Sequence, residues 1–488
     1  MILRLQKTVD FQPPKHIILE VKFMKFNKNK IFSFRLERII MSDYIERANR
    51  VVPSKAQIDF MNTEFMAFIH FGMNTFCNTE WGTGREPEKY FKPADFSAKQ
   101  WVSTVKAAKM RGIVLTCKYS DGFCLWPSKY TEHSVKNSPW REGDGDLVRE
   151  LADECAAEGI KFGIYLSPYD MHETTFGTEK YNDFFVNQLT ELCTNYGDIF
   201  CVWFERDNSG QQNYDWQRYY DTIRKYQPNA MICNCGPDIR WCGNHVGVNR
   251  ASEWSVVPKD LINNAPSKKL VEPDLGSRRK IKRAKELVWF PSITDISLRP
   301  GWFFHETENF DVKVLSKALE VYFKSVGNNG SLILNISPSH TGKIDKLDVE
   351  HLVTLGVQLG IEFKVNHAEN GKFDDEGHSD DLHTARFINS GKSYFKSAPK
   401  AHKSVITLDM GEVKNINKVV LAENIETGQQ IEKFKLYYFF DKKWHKLYSG
   451  TTIGRKKICL LPTMDARRLK LVIEKTRDFA TITKFEVY

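Results

Sequence analysis

Residues 97–119, SAKQWVSTVKAAKMRGIVLTCKY, carry the pattern that decides the fold. Over 97–112 apolar residues recur at helical spacing, and the pattern ends at Gly112. Residues 113–119 are mostly apolar and β-favouring, which is typical of a buried strand. A helix that leads directly into a buried strand indicates a parallel sheet, because parallel strands are joined by crossover connections that are usually helices.

The same unit recurs further along the chain. Helical patterns at 145–159 and 179–197 are followed by the short apolar runs KFGIYLSP (161–168) and IFCVWF (199–204). The longer loops come after the strands, as they do in barrel enzymes. We therefore predict a (β/α)8-type barrel over residues 55–365.

The pattern changes after about residue 370. Turn residues and acidic side chains come first, and short runs of alternating polarity follow, among them SVITLDMG (404–411) and KFKLYYFF (433–440). Many short strands separated by turns are typical of an antiparallel β-sandwich. The predicted fold class is thus α/β, a (β/α)8-type barrel followed by a C-terminal antiparallel β-sandwich at 376–488.

The first 40 residues differ from the rest of the chain. Residues 1–40 have scattered lysines, no apolar core of signal-peptide length and no small-residue cleavage site. We expect a translated leader or a disordered tail, with Met41 as a possible true start. The ten cysteines fall largely inside predicted strands and helices, which favours buried thiols in a reducing compartment. A cytoplasmic location without membrane contact is therefore expected.

Composition excludes several classes of partner. The 488 residues are 41% hydrophobic and 27% charged with a net charge of +9, which is ordinary for a globular protein of two domains. One dense basic segment lies at 277–286, but no zinc-finger spacing or aromatic-basic RNA motif accompanies it, so no nucleic-acid partner is expected. The CNC run at 233–235 lacks metal-ligand spacing, and no metal site or cofactor is expected. The oligomeric state is left open.

The stretch CVWFERDN at 201–208 raises the question of function. A buried strand ends there in a carboxylate, Glu205, and barrel enzymes present catalytic groups at the C-terminal ends of their strands. A solvated strand-to-loop boundary is the alternative interpretation, since charged residues mark such boundaries frequently.

A collinear series of motifs resembles one enzyme family. FIHFGMNTF (68–76), EWGTG (80–84), DGFCLWPSKYTEHSV (121–135), SEWSVVP (252–258) and ISLRPGWFFH (296–305) occur in the order found in retaining α-L-fucosidases, which are barrel glycoside hydrolases. The C-terminal part is similar to discoidin-type carbohydrate modules. The resemblance implies hydrolysis of terminal α-linked fucose in glycans by two carboxyl groups about 5 Å apart.

The resemblance assigns the nucleophile position to Glu205. The family usually has the aspartate of WFDGA there, and this chain has one extra methylene and Arg206 in place of the glycine. A shift of about 1 Å at a catalytic group can lower a rate by roughly 100-fold. Asp207 is the alternative nucleophile, two residues further into the loop.

The acid/base position is altered as well. The family motif RWxGNE reads RWCGNH at 240–245, so His245 replaces the glutamate. A histidine can act as a general acid near neutral pH. Glu253 in SEWSVVP is the alternative acid/base, because it is the nearest remaining carboxyl group in the sequence.

The resemblance also implies a set of substrate-binding residues. They are His70, Glu80, Trp81, Tyr119, Ser120, Asp121, Tyr169 and Trp302. Core packing is the alternative for the aromatic members, and Asp170 and Asp295 are expected to brace the barrel mouth. Because each replaces a family pocket residue, we expect one cavity to be formed by Glu205, His245, Tyr119, Tyr169 and Ile293.

Three hypotheses about function follow. The chain is a working α-L-fucosidase with unusual catalytic groups, a catalytically silent relative that binds a glycan or a protein, or a barrel retuned to another glycoside. The substitutions concentrate on polar pocket positions whereas the scaffold motifs persist, which keeps all three open. The expected partner is a fucosylated glycan or another glycoside, and at most weak glycan affinity is expected of the sandwich.

Overall fold

The computed structural model describes residues 44–205, 210–262, 270–309, 312, 315–401 and 403–488. The predicted leader at 1–40 and the residues Arg206 and Asp207 lie outside these ranges. Eight parallel strands come first: β1 Phe65–Ile69, β2 Gly112–Lys118, β3 Lys161–Leu166, β4 Cys201–Phe204, β5 Met231–Asn234, β6 Arg240–Trp241, β7 Ser292–Ser297 and β8 Ser331–Ile336.

The eight strands form a nearly closed barrel. Their order is β5-β4-β3-β2-β1-β8-β7-β6, and every neighbouring pair is parallel. The two end strands approach each other through a bridge between Cys233 and Ile239. The predicted barrel is confirmed.

Helices pack around the barrel, and Phe60 of the first helix joins the apolar cluster inside it. They span Lys55–Thr63, Ala98–Ala107, Leu147–Glu158, Lys180–Asn195, Trp216–Tyr226, Arg278–Arg283, Leu315–Ser325 and Lys346–Glu362. Side chains at the N-caps fix several helix starts: Ser97 accepts a hydrogen bond from the Gln100 amide and Asp146 one from the Arg149 amide. The helix at Leu147–Glu158 ends at Gly159, which adopts a left-handed φ of 68°.

Strand periodicity separates two apolar layers. In β1 the alternate residues Phe65 and Ala67 pack against the helices. Met66 and Phe68, which point the other way, join Ile333 in the cluster that fills the barrel interior. The interior is therefore packed with side chains, and a ligand site can form only above this layer.

The repeat of strand and helix is interrupted at one place. β6 begins six residues after β5 ends, and no helix lies between them. An antiparallel pair, Val256–Pro258 with Leu287–Trp289, is inserted before β7. The short β5–β6 link brings the ends of these two strands to the same side of the barrel mouth.

The second domain is the predicted antiparallel sandwich. Its main sheet contains the strands Lys372–Glu376, Ser404–Ala422, Ile431–Phe440, Lys443–Gly450, Lys457–Thr476 and Lys484–Val487. A short pair, Phe395–Lys396 with Thr481–Ile482, lies beside it. The first strand begins at Lys372, four residues before the predicted start at 376.

Partly buried charges join the barrel to the sandwich. Glu64 at the entry to β1 contacts Arg455 at 2.5 Å and Lys456 at 2.6 Å. These two basic residues hold the pKa of Glu64 far below its usual range, although burial alone would raise it. The Arg477 guanidinium lies 3.8 Å from the Trp254 ring centroid. The sandwich is thus attached to the N-terminal end of a barrel strand.

All ten cysteines lie in the described ranges, and no disulfide links them. In the described ranges no helix is long and apolar enough to cross a membrane.

Candidate active site

A cavity of about 260 Å³ lies at the C-terminal ends of the barrel strands. Its lining residues are Phe68, His70, Trp81, Tyr119, Trp203, Glu205, Asn234, Trp241, His245, Asp295 and Trp302. Ligand pockets for drug-sized molecules usually measure about 300–1,000 Å³, so this cavity suits a single sugar ring better than an oligosaccharide. Aromatic rings form most of the wall, and a few polar groups point into it.

Glu205 is the first residue after β4. The strand Cys201–Phe204 is fully buried, and Glu205 reaches solvent through the cavity mouth. Protein atoms nevertheless surround its carboxyl group closely. This desolvation and the negative charge of Asp295 raise the pKa of Glu205, and His245 opposes the shift.

His245 is bonded to Asp295. Its Nδ1 lies 2.8 Å from Asp295 Oδ2, and Trp241 donates its indole N–H to Asp295 Oδ1 at 2.8 Å. The Trp241 and His245 rings are 4.8 Å apart between centroids. The hydrogen bond to Asp295 raises the pKa of His245. The negative charges of Asp295 and Glu205 raise it further, whereas desolvation lowers it. The Asp295 carboxylate therefore favours the protonated form of the imidazole.

His70 is neutral and has a defined tautomer. Its Nδ1 lies 2.7 Å from Asn335 Oδ1. The Asn335 amide nitrogen donates to Ser297 Oγ at 2.9 Å and to the Trp302 carbonyl at 2.8 Å, which leaves Oδ1 as an acceptor. Burial lowers the pKa of His70 to about 3. Nδ1 thus carries the proton, and Nε2 is available to accept a hydrogen bond from a ligand hydroxyl.

Trp302 links the two histidines. Its ring centroid lies 5.2 Å from that of His70 and 5.3 Å from that of His245. Glu80 fixes the backbone of this tryptophan, because its carboxylate accepts hydrogen bonds from the N–H groups of Trp302 at 3.0 Å and Phe303 at 3.2 Å. Glu80, which is predicted to contact the sugar, does not line the cavity, and its carboxylate supports the backbone of Trp302 and Phe303.

Three further predicted substrate-binding residues lie behind the cavity wall. The Ser120 hydroxyl donates to the Trp81 carbonyl at 3.3 Å. Asp121 is buried and accepts from the Phe123 amide at 2.7 Å, and burial raises its pKa to about 7. Tyr169 packs edge-on against a neighbouring phenylalanine. Of the predicted sugar contacts, His70, Trp81, Tyr119 and Trp302 line the cavity.

Glu253 is placed in the scaffold. Its side chain is 1% exposed, forms an ion pair with Arg240 and accepts from Arg250 at 2.9 Å. The carbonyl of Glu253 also accepts from the Gln429 side chain of the sandwich at 2.9 Å. The position does not support the alternative acid/base assignment, because both carboxylate oxygens are taken up by arginines outside the cavity.

Ile293 does not line the cavity, although it is predicted to form the cavity together with four other residues. It is buried in the barrel interior beneath the cavity, and Tyr169 is also outside the lining. Glu205, His245 and Tyr119 do meet in the cavity. The alternative nucleophile, Asp207, lies outside the described residues.

Sequence reasoning missed Asn234 and Trp241. Asn234 ends β5 with a left-handed φ of 62°, and a polar residue at a barrel strand end is a recognisable signal. Trp241 belongs to the RWCGNH motif at 240–245, in which a role is predicted only for His245. Asp295, expected only to brace the mouth, bonds to His245 in the cavity.

No group of three potential metal ligands occurs within the ranges given above.

Comparison with known proteins gives matches to both domains. The family described as Alpha-L-fucosidase matches residues 32–362, and the F5/8 type C domain matches residues 369–486. Alpha-L-fucosidase 1 of Arabidopsis thaliana is 34% identical over 450 residues, which cover 90% of this chain and 87% of the plant protein.

Two solved structures share the whole architecture. A glycoside hydrolase 29 family member from an unknown rumen bacterium is 36% identical, with a TM-score of 0.78, over 90% of this chain and 77% of the bacterial one. A Ruminococcus gnavus GH29 fucosidase in complex with fucose is 27% identical, with a TM-score of 0.81, over 90% and 95% of the two chains.

Proposed function

Because this chain belongs to the α-L-fucosidase family, we propose that it hydrolyses terminal α-linked fucose in glycans and retains the anomeric configuration. One observation carries the proposal: Glu205 shares a cavity of one-sugar size with the hydrogen-bonded pair of His245 and Asp295. The first side chain can serve as nucleophile and the pair as acid/base.

In the first step a Glu205 oxygen attacks the anomeric carbon. The bond from that carbon to the aglycone oxygen breaks, and His245 Nε2–H gives its proton to the departing oxygen. In the second step neutral His245 takes a proton from water, the water oxygen attacks the anomeric carbon and Glu205 leaves as a carboxylate. Asp295 keeps its hydrogen bond to Nδ1 throughout and stabilises the imidazolium.

The cavity walls support fucose binding. His70 Nε2 can accept from a sugar hydroxyl, and the rings of Trp81 and Trp302 can cover the apolar faces of the sugar. Trp81 is 65% exposed and stacks on Tyr119 with 6.0 Å between ring centroids. It therefore lies where the aglycone would leave the cavity.

Hydrolysis of 4-nitrophenyl α-L-fucoside, measured beside calorimetric binding of fucose, tests the proposal. Turnover with net retention supports it. Fucose binding without turnover indicates the silent glycan-binding alternative, and neither binding nor turnover indicates a barrel retuned to another glycoside. The combined substitution Glu205→Asp, Arg206→Gly and His245→Glu should raise turnover if the pocket still suits fucose.

Asp295→Asn is expected to move the whole pH profile of kcat/KM to lower pH. The reaction needs ionised Glu205 and protonated His245, so activity rises through the first pKa and falls through the second. Asp295 raises both pKa values. Removing its charge lowers both pKa values, so the rising and the falling limb of the profile both move to lower pH. The profile is measured with a fucoside that has a sugar leaving group.

Trp241→Phe is the matched control for that experiment. It removes the hydrogen bond to Asp295 Oδ1 and leaves the charge in place. Its profile should stay near that of the unmodified protein. An Asp295→Asn profile that does not move would contradict the assignment of His245 as acid/base.

Glu80→Gln is expected to weaken fucose binding by about 10-fold, because a half-buried acceptor of two backbone N–H groups is partly replaced by a donor. The loss should appear in Kd and KM more than in kcat. Glu86→Gln is the control, since among the described residues Glu86 accepts hydrogen bonds only from Thr83 and Arg85 of the same loop. Equal losses in both variants would mean that the loop is merely loosened.

A further inference from the structure

A hairpin of the sandwich carries an unusual number of aromatic residues. The segment YYFFDKKW at 437–444 has five of them, at the turn between strands Ile431–Phe440 and Lys443–Gly450. Phe434 and Leu436 of the same strand are buried in the sandwich core. Strand alternation therefore places Tyr437 and Phe439 on the outer face of the sheet.

Two basic residues of the neighbouring strand lie over these rings. Lys470 is paired with Tyr437 in the register, and its Nζ lies 5.2 Å from that ring centroid and 4.3 Å from that of Trp444. The Arg468 guanidinium lies 3.6 Å from the Phe439 centroid, and the Phe439 and Trp444 centroids are 5.2 Å apart. We call these five side chains the outer-face platform.

The platform keeps its positive charge. The nearby carboxylates Glu474 and Asp409 are already paired with other basic residues. In the described part of the chain neither Arg468 nor Lys470 forms an ion pair. Burial and the charge of Lys403 lower the pKa of Lys470, and the charge of Glu376 opposes this shift. Two cations are thus available on a face that also presents three half-buried rings.

This combination fits a ligand with apolar faces and anionic groups. Sugar rings present C–H faces that pack on aromatic rings, and sulfate or carboxylate groups bind arginine and lysine strongly. An open sheet face also suits an extended polymer, which contacts several shallow positions at once, better than a small molecule that needs an enclosed pocket.

We propose that the outer-face platform binds an acidic polysaccharide, a chain of sugar rings that carries sulfate or carboxylate groups. The site is separate from the barrel cavity, and its occupation does not require turnover. It would hold the enzyme on an anionic glycan matrix while the barrel acts on terminal sugars.

Affinity electrophoresis of the full chain tests the proposal, with gels that contain dextran sulfate, polygalacturonate or neutral dextran. We expect retardation by at least one acidic polymer and none by neutral dextran. Arg468→Gln with Lys470→Gln should lower the affinity by about 10-fold or more, and Trp444→Ala by about 5-fold. The polymer that retards more strongly identifies the preferred anion.

Lys475→Gln with Lys484→Gln is the matched control, because it removes two exposed cations elsewhere in the sandwich. Its affinity should stay close to that of the unmodified chain. Melting temperatures, and hydrolysis in the barrel, should be the same in the Arg468/Lys470 variant and the control.

Four results would overturn the proposal. They are no retardation by either acidic polymer, equal losses in the two double variants, an unchanged affinity in a folded Trp444→Ala variant, and stronger binding to phosphatidylserine vesicles than to both polymers. The second and third would reduce the effect to simple ion exchange, and the fourth would assign the face to a lipid surface.

Discussion

Replacing Glu205 with glutamine is expected to lower kcat for aryl α-L-fucoside hydrolysis by roughly 1,000-fold or more, as removal of a covalent nucleophile does. The amide is nearly the same size as the carboxylate, so fucose binding should change little. The fall in kcat therefore reports the loss of a negatively charged oxygen at the anomeric carbon and not a loss of fucose binding. Stopped assays with 4-nitrophenyl α-L-fucoside give the rates, and calorimetry gives the binding.

Asp207→Asn is the control for the nucleophile, because Asp207 is the other carboxylate after the same strand. It should retain most activity. A Glu205→Gly variant should also regain turnover with azide and form the β-fucosyl azide, since the small anion takes the space of the missing carboxylate. Loss of activity in Asp207→Asn but not in Glu205→Gln would transfer the nucleophile role to Asp207.

Replacing His245 with alanine is expected to lower kcat/KM for fucosides with a sugar leaving group by roughly 100- to 10,000-fold, the range of general acid catalysis. The first step with an aryl leaving group should suffer far less, because a stable phenolate needs little protonation. The substitution leaves Glu205 in place, so the fucosyl intermediate still forms. It also opens the side of that intermediate where the acid/base group stood. The measurement compares kcat/KM of the His245→Ala variant for a fucoside with a sugar leaving group and for an aryl fucoside.

Azide again provides the diagnostic. In His245→Ala it should accelerate breakdown of the fucosyl intermediate and yield the α-fucosyl azide, the opposite anomer from that in the Glu205 variant. Glu253→Gln serves as the comparison for the alternative acid/base position and should act mainly on stability, because it leaves Arg240 and Arg250 without their carboxylate. A leaving-group dependence in Glu253→Gln and not in His245→Ala would reverse the assignment.

The sequence determined the parts of this protein that depend on neighbouring residues. The strand predicted at 113–119 is observed at Gly112–Lys118, and the helix predicted at 97–112 is observed at Ala98–Ala107, so the helix ends earlier than its periodicity predicts. The buried strand that ends at Glu205 can be read from a few adjacent side chains, whereas the nucleophile position of Glu205 is implied by the resemblance to the fucosidases. Periodicity is a local property, so barrel and sandwich could both be predicted.

The tertiary structure alone decided which polar groups face the cavity. Glu253 and Asp295 are both acidic residues near strands, yet one is neutralised by two arginines and the other bonds to a histidine 50 positions away in the chain. The missing helix between β5 and β6 likewise set the place of Trp241. Contacts of this kind depend on distances through space and on burial, which control the charge of a side chain and have no counterpart in the spacing of residues along the chain.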